Sequence, residues 1–334
     1  MLNRRNFLQY ASVSVAGSLT APSIIAQNAP SAEGVLDTAR LILGSPAGTI
    51  LDVMCRRIAD AIQPGYARNT LVDNRVGGSS QIATTHVKNA PADGTAVLVT
   101  PMPMMAMYTH TYKKLQYDPF ADFAPVSLAA TFDLALAVGP MVPAGVKNVD
   151  EFVAWCKANP SLANFGSPAA GSTPHFAGII LARSANIAFT HIPFLGTVPA
   201  ITQMVGGQIA SVIAPVGDFL PFVETGKCRM IGIIGSKTNR FAPAVPTFIE
   251  QGYKDVVTND WFGVFVPART PVQQIQRLGD ALKMALAAPA VLRTLESKAL
   301  VAQWSTSAEL AARLKDDSLR WSGVVKSTGF SADS

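Results

Sequence analysis

The chain has 334 residues, of which 49% are hydrophobic and 15% charged, and its 27 Lys and Arg against 22 Asp and Glu give a net charge of +5. At roughly 150 residues per domain, this length predicts two domains with large buried cores. The positive bias is mild and no Lys/Arg cluster is interleaved with aromatic residues, which argues against a nucleic-acid-binding protein.

The first 26 residues are predicted to be an export signal. Arg4 and Arg5 precede an uncharged run from Tyr10 to Ala26, which is the layout of a secretory signal of twin-arginine type. A membrane anchor is the alternative, but the apolar run is shorter than the roughly 20 residues that span a bilayer. Cleavage near Ala26 would release a periplasmic chain of net charge +3, since the signal holds two arginines and no acid.

From residue 39 onward, short buried strands alternate with helical segments, the order typical of strand–helix–strand units in a parallel sheet. In the first unit Thr49 is the predicted N-cap, and Asp52 lies in the first helical turn, where a negative charge suits the helix dipole. The predicted elements of this half are a strand over 39–43, a helix from residue 49, a strand over 69–72, a helix that ends at Lys88 and a strand over 96–100.

A second series of units contains another turn of small residues, from Ser167 to Ser172. Pro174 stands in the first turn of the following helix, where its missing N–H costs nothing, and Ser172 and Thr173 are the candidate caps. The predicted elements are strands over 134–138, 163–166, 188–193, 209–213 and 230–234, helices over 149–157 and 198–205, then a strand over 261–266, a helix over 271–286 and an amphipathic tail that ends near Trp321.

This order of elements predicts an α/β protein with two lobes, in which the chain crosses near residue 137 and returns near residue 236. The predicted boundaries are 1–26 for the signal peptide, 33–136 plus 237–334 for lobe 1, and 137–236 for lobe 2. Cys55, Cys156 and Cys228 are an odd number for an oxidising compartment, so at least one is unpaired or intermolecular. Three buried apolar cysteines are the favoured interpretation, and a single disulfide is the alternative.

Sequence motifs of enzymes and cofactor sites are missing. The chain contains no G-x-S-x-G, no H-E-x-x-H, no phosphate-binding G-x-x-x-x-G-K-[ST] and no dinucleotide-binding G-x-G-x-x-G after a strand. His175 and His191 have no spacing typical of metal ligands. We therefore expect no catalytic residues, no metal and no cofactor.

A turn of small residues leads into a helix once in each predicted lobe, at 45–49 and at 167–173. Small side chains allow backbone N–H groups to approach a ligand closely. The unpaired N–H groups and the dipole of a helix N-terminus favour an anion. Two such turns, one from each lobe, predict a site that holds a carboxylated molecule between the lobes, although each turn alone is equally typical of an ordinary strand–helix connection.

Short motifs in a fixed order extend this interpretation across most of the chain. Together they resemble the Bug family, the solute-binding proteins of tripartite tricarboxylate transporters, collinearly from about residue 39 to about residue 300. The motifs are Pro46-Ala47-Gly48, Asp52, Asp73-Asn74-Arg75, Ala92-Asp93-Gly94, Tyr117-Asp118-Pro119, Asp122-Phe123-Ala124-Pro125-Val126, His175-Phe176-Ala177-Gly178, Gly206-Gly207-Gln208, the run from Trp261 to Ala268, and Thr270-Pro271.

The resemblance implies a two-lobe periplasmic-binding-protein fold of the Venus flytrap type, each lobe a mostly parallel sheet flanked by helices. It implies a protein that closes on a small organic carboxylate and delivers it to the inner-membrane subunits of a tripartite transporter. Backbone amides, hydroxyl groups and ordered water would hold the carboxylate. The candidate ligand-binding residues are Ser45, Pro46, Ala47, Gly48, Thr49, Asp52, Ser79, Thr100, Met102, Ser167, Pro168, Ala169, Ala170, Ser172, Thr173, His175, Phe194 and Gly196.

Departures from the family pattern bear on the ligand. Ser45 replaces a usual Phe, Thr49 a usual Gly, Phe194-Leu195 a usual Tyr-Lys, and Ala214 a usual Asp. These changes predict a larger, less charged pocket and a bulky or aromatic carboxylate. Four methionines after the strand that ends at residue 100 would add adaptable apolar surface, with a methionine-rich core as the alternative; they are Met102, Met104, Met105 and Met107.

Two other functions remain as alternatives at this point. A sensor would use the same pocket and present the ligand to a membrane kinase instead of a transporter. A periplasmic hydrolase or isomerase would need a nucleophile and a base within hydrogen-bond reach, and the sequence nominates none.

Overall fold

The computed structural model describes residues 35–63 and 65–332. The predicted export signal lies outside these residues. The described residues belong to one unit that contains two β-sheets. Among them, no helix combines the length and the apolar character needed to cross a membrane.

The first sheet has six strands in the described part of the chain, with strands numbered in chain order. They are β1 (Leu36–Leu43), β2 (Ala67–Asn74), β3 (Ala96–Pro101), β4 (Phe123–Phe132), β10 (Asp260–Pro267) and β11 (Val301–Ala302), arranged as β11–β4–β10–β3–β1–β2. β1 pairs in parallel with β2 and β3. β10 runs antiparallel between β3 and β4, and β11 is antiparallel to β4.

The second sheet has five strands in the same described part. They are β5 (Leu134–Val138), β6 (Asn164–Ser167), β7 (Thr190–Pro193), β8 (Ser211–Pro215) and β9 (Arg229–Ile234), arranged as β7–β6–β8–β5–β9. β6 is parallel to β7 and β8, whereas β5 is antiparallel to β8 and β9. Only Asp133 separates β4 from β5, so the chain passes from one sheet to the other within a single residue.

The strand directions correct one part of the sequence prediction. Both sheets are mixed, not mostly parallel, because the strands that enter from the other sheet, β5 and β10, run against their neighbours. β4, a strand of 10 residues in the first sheet, was also missed by the sequence prediction, since its Ala, Ser and Pro residues weaken the strand pattern.

Helices flank both sheets. They are α1 (Ile50–Ile62), α2 (Gln81–Lys88), α3 (Met102–Ala106), α4 (Tyr108–Thr111), α5 (Val149–Ala158), α6 (Thr173–Ala185), α7 (Thr197–Val205), α8 (Val216–Glu224), α9 (Val272–Ala287), α10 (Pro289–Ser297) and α11 (Ser307–Thr328). Thr49, Asn148 and Thr306 cap α1, α5 and α11 through their side chains. The last helix continues to Thr328, beyond the predicted end near Trp321.

The core contains the three cysteines, which are all buried and free. Burial raises the pKa of Cys156 to about 12 and is the main cause that raises the pKa of Cys228 to about 11. They are therefore buried apolar thiols, as the favoured interpretation predicts, and not a disulfide pair.

Candidate functional site

A cavity of about 770 Å³, its open mouth included, lies where loops of both sheets meet. The turn between β1 and α1 contributes Ser45 and Thr49, and the turn between β6 and α6 contributes Ser172 and Thr173. Phe132, the last residue of β4, and Leu134, the first residue of β5, also line the cavity. The two turns singled out in the sequence therefore face one shared cavity.

The first turn is held by a network around Asp52. Thr49 Oγ1 accepts from the Asp52 N–H at 3.4 Å, and Asp52 Oδ2 accepts from the Gly48 N–H at 3.0 Å. Asn74 Nδ2 donates to Asp52 Oδ1 at 2.9 Å. Burial raises the pKa of Asp52, but hydrogen bonds from Arg56 and the Gly48 N–H outweigh it and hold the pKa below its ordinary value of 3.8. Asp52 is thus an ionised anchor of the turn.

Two buried histidines stabilise the second turn through contacts with its residues. His175 Nδ1 accepts from the Gly171 N–H at 3.1 Å, and His191 Nε2 lies 2.7 Å from Ser167 Oγ. The two rings are stacked with their centroids 3.7 Å apart. Burial lowers the pKa of His175 to about 4, and burial together with His175 lowers the pKa of His191 to about 3. Both rings are neutral at pH 7, so His175 Nδ1 retains the lone pair that accepts the Gly171 N–H.

Ser167 and His191 are as close as a catalytic nucleophile and its base, but they do not lie where a substrate could reach them. Ser167 is 0% exposed and does not line the cavity. A nucleophile must reach its substrate, so this pair is structural. Within the described residues, no group of three or more His, Cys, Asp or Glu is placed to hold a metal ion.

A third loop, between β2 and α2, brings strained backbone to the cavity. Ser79 and Ser80 line the cavity with φ of 51° and 69°, the left-handed region that side chains other than Gly rarely adopt. A Cβ at Gly44, at the end of β1, would lie 2.3 Å from Ser80 Cβ, so the loop packs directly on the strand end. Such strain persists only where surrounding structure enforces it, and it is commonest at functional sites.

Two carboxylates connect the two sheets at the cavity. Asp218, in the first turn of α8, accepts from the N–H of Ile50, the first residue of α1, at 3.2 Å. Asp260, the first residue of β10, accepts from Oγ1 of Thr173, the first residue of α6, at 2.6 Å. Each predicted helix N-terminus is therefore contacted by an acid that belongs to the other sheet.

Both acids have weakened acidity. Burial is the main cause that raises the pKa of Asp218 to about 6, against lowering contributions from the Thr197 side chain, the Ile50 N–H and Lys298. Burial is also the main cause that raises the pKa of Asp260 to about 6, with the nearby Asp317 adding to it. At pH 7 a small fraction of each acid is protonated, and the fraction grows as the pH falls below 6.

Apart from Thr197, the rest of the lining is apolar or Gly. Phe132 and Phe262 form a tilted pair with ring centroids 4.5 Å apart. Met104 lines the cavity, whereas the other three methionines of its run are buried in the core, as the core interpretation predicts. Further apolar lining residues are Ile50, Leu51, Val76, Leu134 and Leu195.

The structure brings eight of the predicted site residues to the cavity. They are Ser45, Thr49, Ser79, Pro168, Ala169, Ser172, Thr173 and Gly196. Ten others lie outside its lining: Pro46, Ala47, Gly48, Asp52, Thr100, Met102, Ser167, Ala170, His175 and Phe194. Of these, Ala47 and Gly48 lie on the exposed side of the first turn, and Thr100 and Met102 are buried below the lining.

Sequence reasoning missed Asp218 and Asp260. Ala214, where the family pattern has an acid, is buried in β8, but Asp218 supplies a carboxylate four residues later. The loss of an acid at Ala214 therefore does not leave the cavity without carboxylates. Asp260 directly precedes the apolar residues of a strand, a sequence signal for a buried carboxylate that is notable because such burial is costly, whereas Asp218 lies within a helix and has no such signal.

The comparisons with known proteins agree with this architecture. Residues 54–330 match the family model of the tripartite tricarboxylate transporter family receptor. Protein BugT of Bordetella pertussis is 29% identical over 291 residues, which cover 87% of this chain and 89% of BugT. The structure of the periplasmic binding protein BugD matches with a TM-score of 0.83 at 22% identity, over 89% of this chain and 99% of BugD. R. palustris Rpa4515, solved with adipate, matches with a TM-score of 0.83 at 24% identity, over 89% of this chain and 99% of Rpa4515.

The structural matches confirm the predicted two-lobe periplasmic-binding-protein fold. The family match extends over most of the chain, and the family consists of receptors for solutes, not enzymes. This chain belongs to the tripartite tricarboxylate transporter receptor family, the Bug-type solute-binding proteins.

Proposed function

We propose that this protein binds a small organic carboxylate in the periplasm and delivers it to the membrane subunits of a tripartite tricarboxylate-type transporter. The observation that carries the proposal is the meeting of two helix N-terminal turns, from two different sheets, at one cavity. Helix N-termini favour anionic groups. The adipate bound by Rpa4515, a protein of the same fold, supports this class of ligand.

The proposed lobes are 33–136 plus 237–334, and 137–236. The division of the strands between the two sheets supports these boundaries, apart from the first residues of β5. A ligand that contacts both turns stabilises the arrangement in which they face each other. We therefore infer that binding favours closure of the lobes, as a shift between open and closed states.

The proposed contacts to the carboxylate are backbone N–H groups and hydroxyl groups. Ser45, Ser79 and Ser172 bring hydroxyl groups to the lining, and no Lys, Arg or His is among the lining residues of the described chain. The aromatic pair of Phe132 and Phe262 supports a bulky or aromatic ligand body.

A thermal-shift screen of organic acids tests this function. A carboxylate at 1,000 times its dissociation constant should stabilise the protein by about 4 kcal/mol. Mass spectrometry of the natively exported protein should recover such an acid. Absence of any response across mono-, di- and tricarboxylates would refute the proposal.

A pair of tryptophan variants locates the binding at the cavity. Ser45→Trp places a large ring in the cavity lining and should abolish the thermal shift. Ala47→Trp, two residues away on the exposed side of the same turn, is the matched control and should retain it. Equal binding by both variants would place the ligand elsewhere.

A further inference from the structure

Asp218 and Asp260 are the only charged residues among those that line the cavity in the described part of the chain. They approach from different sheets and each already contacts a helix N-terminus of the opposite sheet. The two helix ends are therefore neutralised in part by the protein's own carboxylates. The charge distribution of a ligand must therefore be compatible with two negatively charged carboxylates in the lining.

One carboxylate oxygen in the lining lacks a partner. Asp260 Oδ1 accepts from Thr173, whereas Asp260 Oδ2 accepts no hydrogen bond from the described residues, although the residue is only 2% exposed. Thr258 lies close enough to lower the pKa of Asp260, but its hydroxyl group donates to the Ile234 carbonyl. A buried polar atom without a partner is costly. A donor group on the ligand would remove that cost.

A second carboxylate on the ligand would instead be repelled by Asp218 and Asp260. Repulsion between like charges is several times stronger in a partly buried cavity than in water. No Lys or Arg among the described lining residues offsets it. Arg320 lowers the pKa of Asp260 and Lys298 lowers that of Asp218, but neither cation lines the cavity.

We propose that Asp218 and Asp260 make the site selective for acids with a single carboxylate and a hydrogen-bond donor, an amine or a hydroxyl group, at the opposite end, and that they disfavour di- and tricarboxylates. The proposal rests on the proposed function, because it specifies the class of carboxylate that the same cavity takes. The apolar walls contact the ligand body between its two ends.

Titration calorimetry at pH 7.5 with two matched ligand pairs tests the selectivity. 4-Aminobenzoate and terephthalate share one ring, and 5-aminopentanoate and adipate share one aliphatic chain. In each pair the amino group of the first acid is replaced by a carboxylate in the second. In at least one pair the amino acid should bind the intact protein at least tenfold more tightly than the dicarboxylate.

Variants that remove the charge of a carboxylate but keep its shape test whether the two acids cause the selectivity. Asp218→Asn and Asp260→Asn should each reduce the preference, and the double variant should reduce it at least tenfold. Asp133→Asn is the matched control, because Asp133 is a partly buried acid that accepts from Asn239 at 2.8 Å and does not line the cavity. It should leave the preference unchanged.

The outcomes separate this inference from the function on which it rests. Equal or tighter binding of the dicarboxylate in both pairs would overturn the selectivity and leave carboxylate binding established. An amino-acid preference that persists in the double variant would also overturn it. If none of the four acids binds and the wider carboxylate panel also fails, both the selectivity and the proposed function are wrong.

Discussion

Gly196, in the loop before α7, shows how one position without a side chain sets the distance between two loops. Its φ is +107°, and a Cβ built there would lie 2.8 Å from Pro46 Cδ. Pro46 belongs to the turn of the first sheet, whereas Gly196 follows β7 of the second. The missing side chain therefore allows the loop before α7 to approach the turn that contains Pro46.

Gly196→Ala should weaken ligand binding about tenfold or more, because the new methyl group opposes the contact with Pro46. Calorimetry with the acid found in the thermal-shift screen measures the change. The control is Gly252→Ala, whose φ of +91° brings a comparable backbone strain with no atom within 4 Å of the new Cβ. Equal losses of affinity in the two variants would show that strain, and not the contact, is responsible.

At the scale of elements, α11 links the two sheets. It packs against β4 and α3 of the first sheet. At its C-terminal end, the carbonyl groups of Ser327 and Thr328 accept from Arg183 of α6 at 2.8 and 2.6 Å. A cation at a helix C-terminus is favourable both for the dipole and for the unpaired carbonyl groups. The helix therefore connects α6, whose N-terminus lines the cavity, to the opposite sheet.

Thr306→Ala should destabilise the protein by about 1 kcal/mol, a typical cost for the loss of an N-cap. The Thr306 side chain accepts from the Glu309 N–H at 3.2 Å, and the Glu309 carboxylate accepts from the Thr306 N–H at 2.7 Å, so both halves of a capping box are present. Urea denaturation measures the change. Thr306→Ser keeps the hydroxyl group and should restore most of the stability; failure to do so would contradict the capping role.

At the scale of the whole molecule, a pair of acids and a pair of histidines make the free energy of unfolding depend on pH in opposite directions. The folded-state pKa values of Asp218 and Asp260, about 6, are above the ordinary 3.8, so their contribution to stability is fully present below pH 3.8 and is lost as the pH rises through 6. The folded-state pKa values of His175 and His191, about 4 and 3, are below the ordinary 6.5. Their contribution is present above pH 6.5 and is lost as the pH falls toward 4 and 3.

As the pH falls from 7 to 4, the free energy of unfolding of the double variant Asp218→Asn, Asp260→Asn should therefore decrease more than that of the native protein. The expected difference is roughly 2–5 kcal/mol, from about two pKa units for each acid at 1.36 kcal/mol per unit. Denaturation at pH 7, 5.5 and 4 measures it. Asp316→Asn removes an exposed acid and serves as the control. Parallel pH profiles for the double variant and the native protein would contradict the prediction.

Ligand-dependent closure also belongs to this scale. Small-angle scattering should show a smaller radius of gyration on saturation with the ligand, because a ligand that contacts both turns favours closure of the proposed lobes. Ser45→Trp, which occupies the lining, should show no ligand-dependent change. An unchanged radius for the native protein, together with measurable binding, would mean that the lobes do not move.

The sequence by itself determined the local features and the family. Thr49 caps α1 where predicted, the turns of small residues lead into α1 and α6, and most strands lie within a few residues of their predicted bounds. These signals act over a few residues of chain, so periodicity and capping reveal them. The ordered motifs added the two-lobe fold, which the structural matches confirm.

Only the tertiary structure decided the directions of β5 and β10 and the full cavity lining. The contact of Asp218 with Ile50 joins residues 168 positions apart, and that of Asp260 with Thr173 joins residues 87 positions apart. No local pattern encodes such contacts, because they depend on the path of the chain between the two sheets. The acids that set the charge of the cavity are therefore determined by the packing of the lobes, whereas the turns they contact are already evident in the sequence.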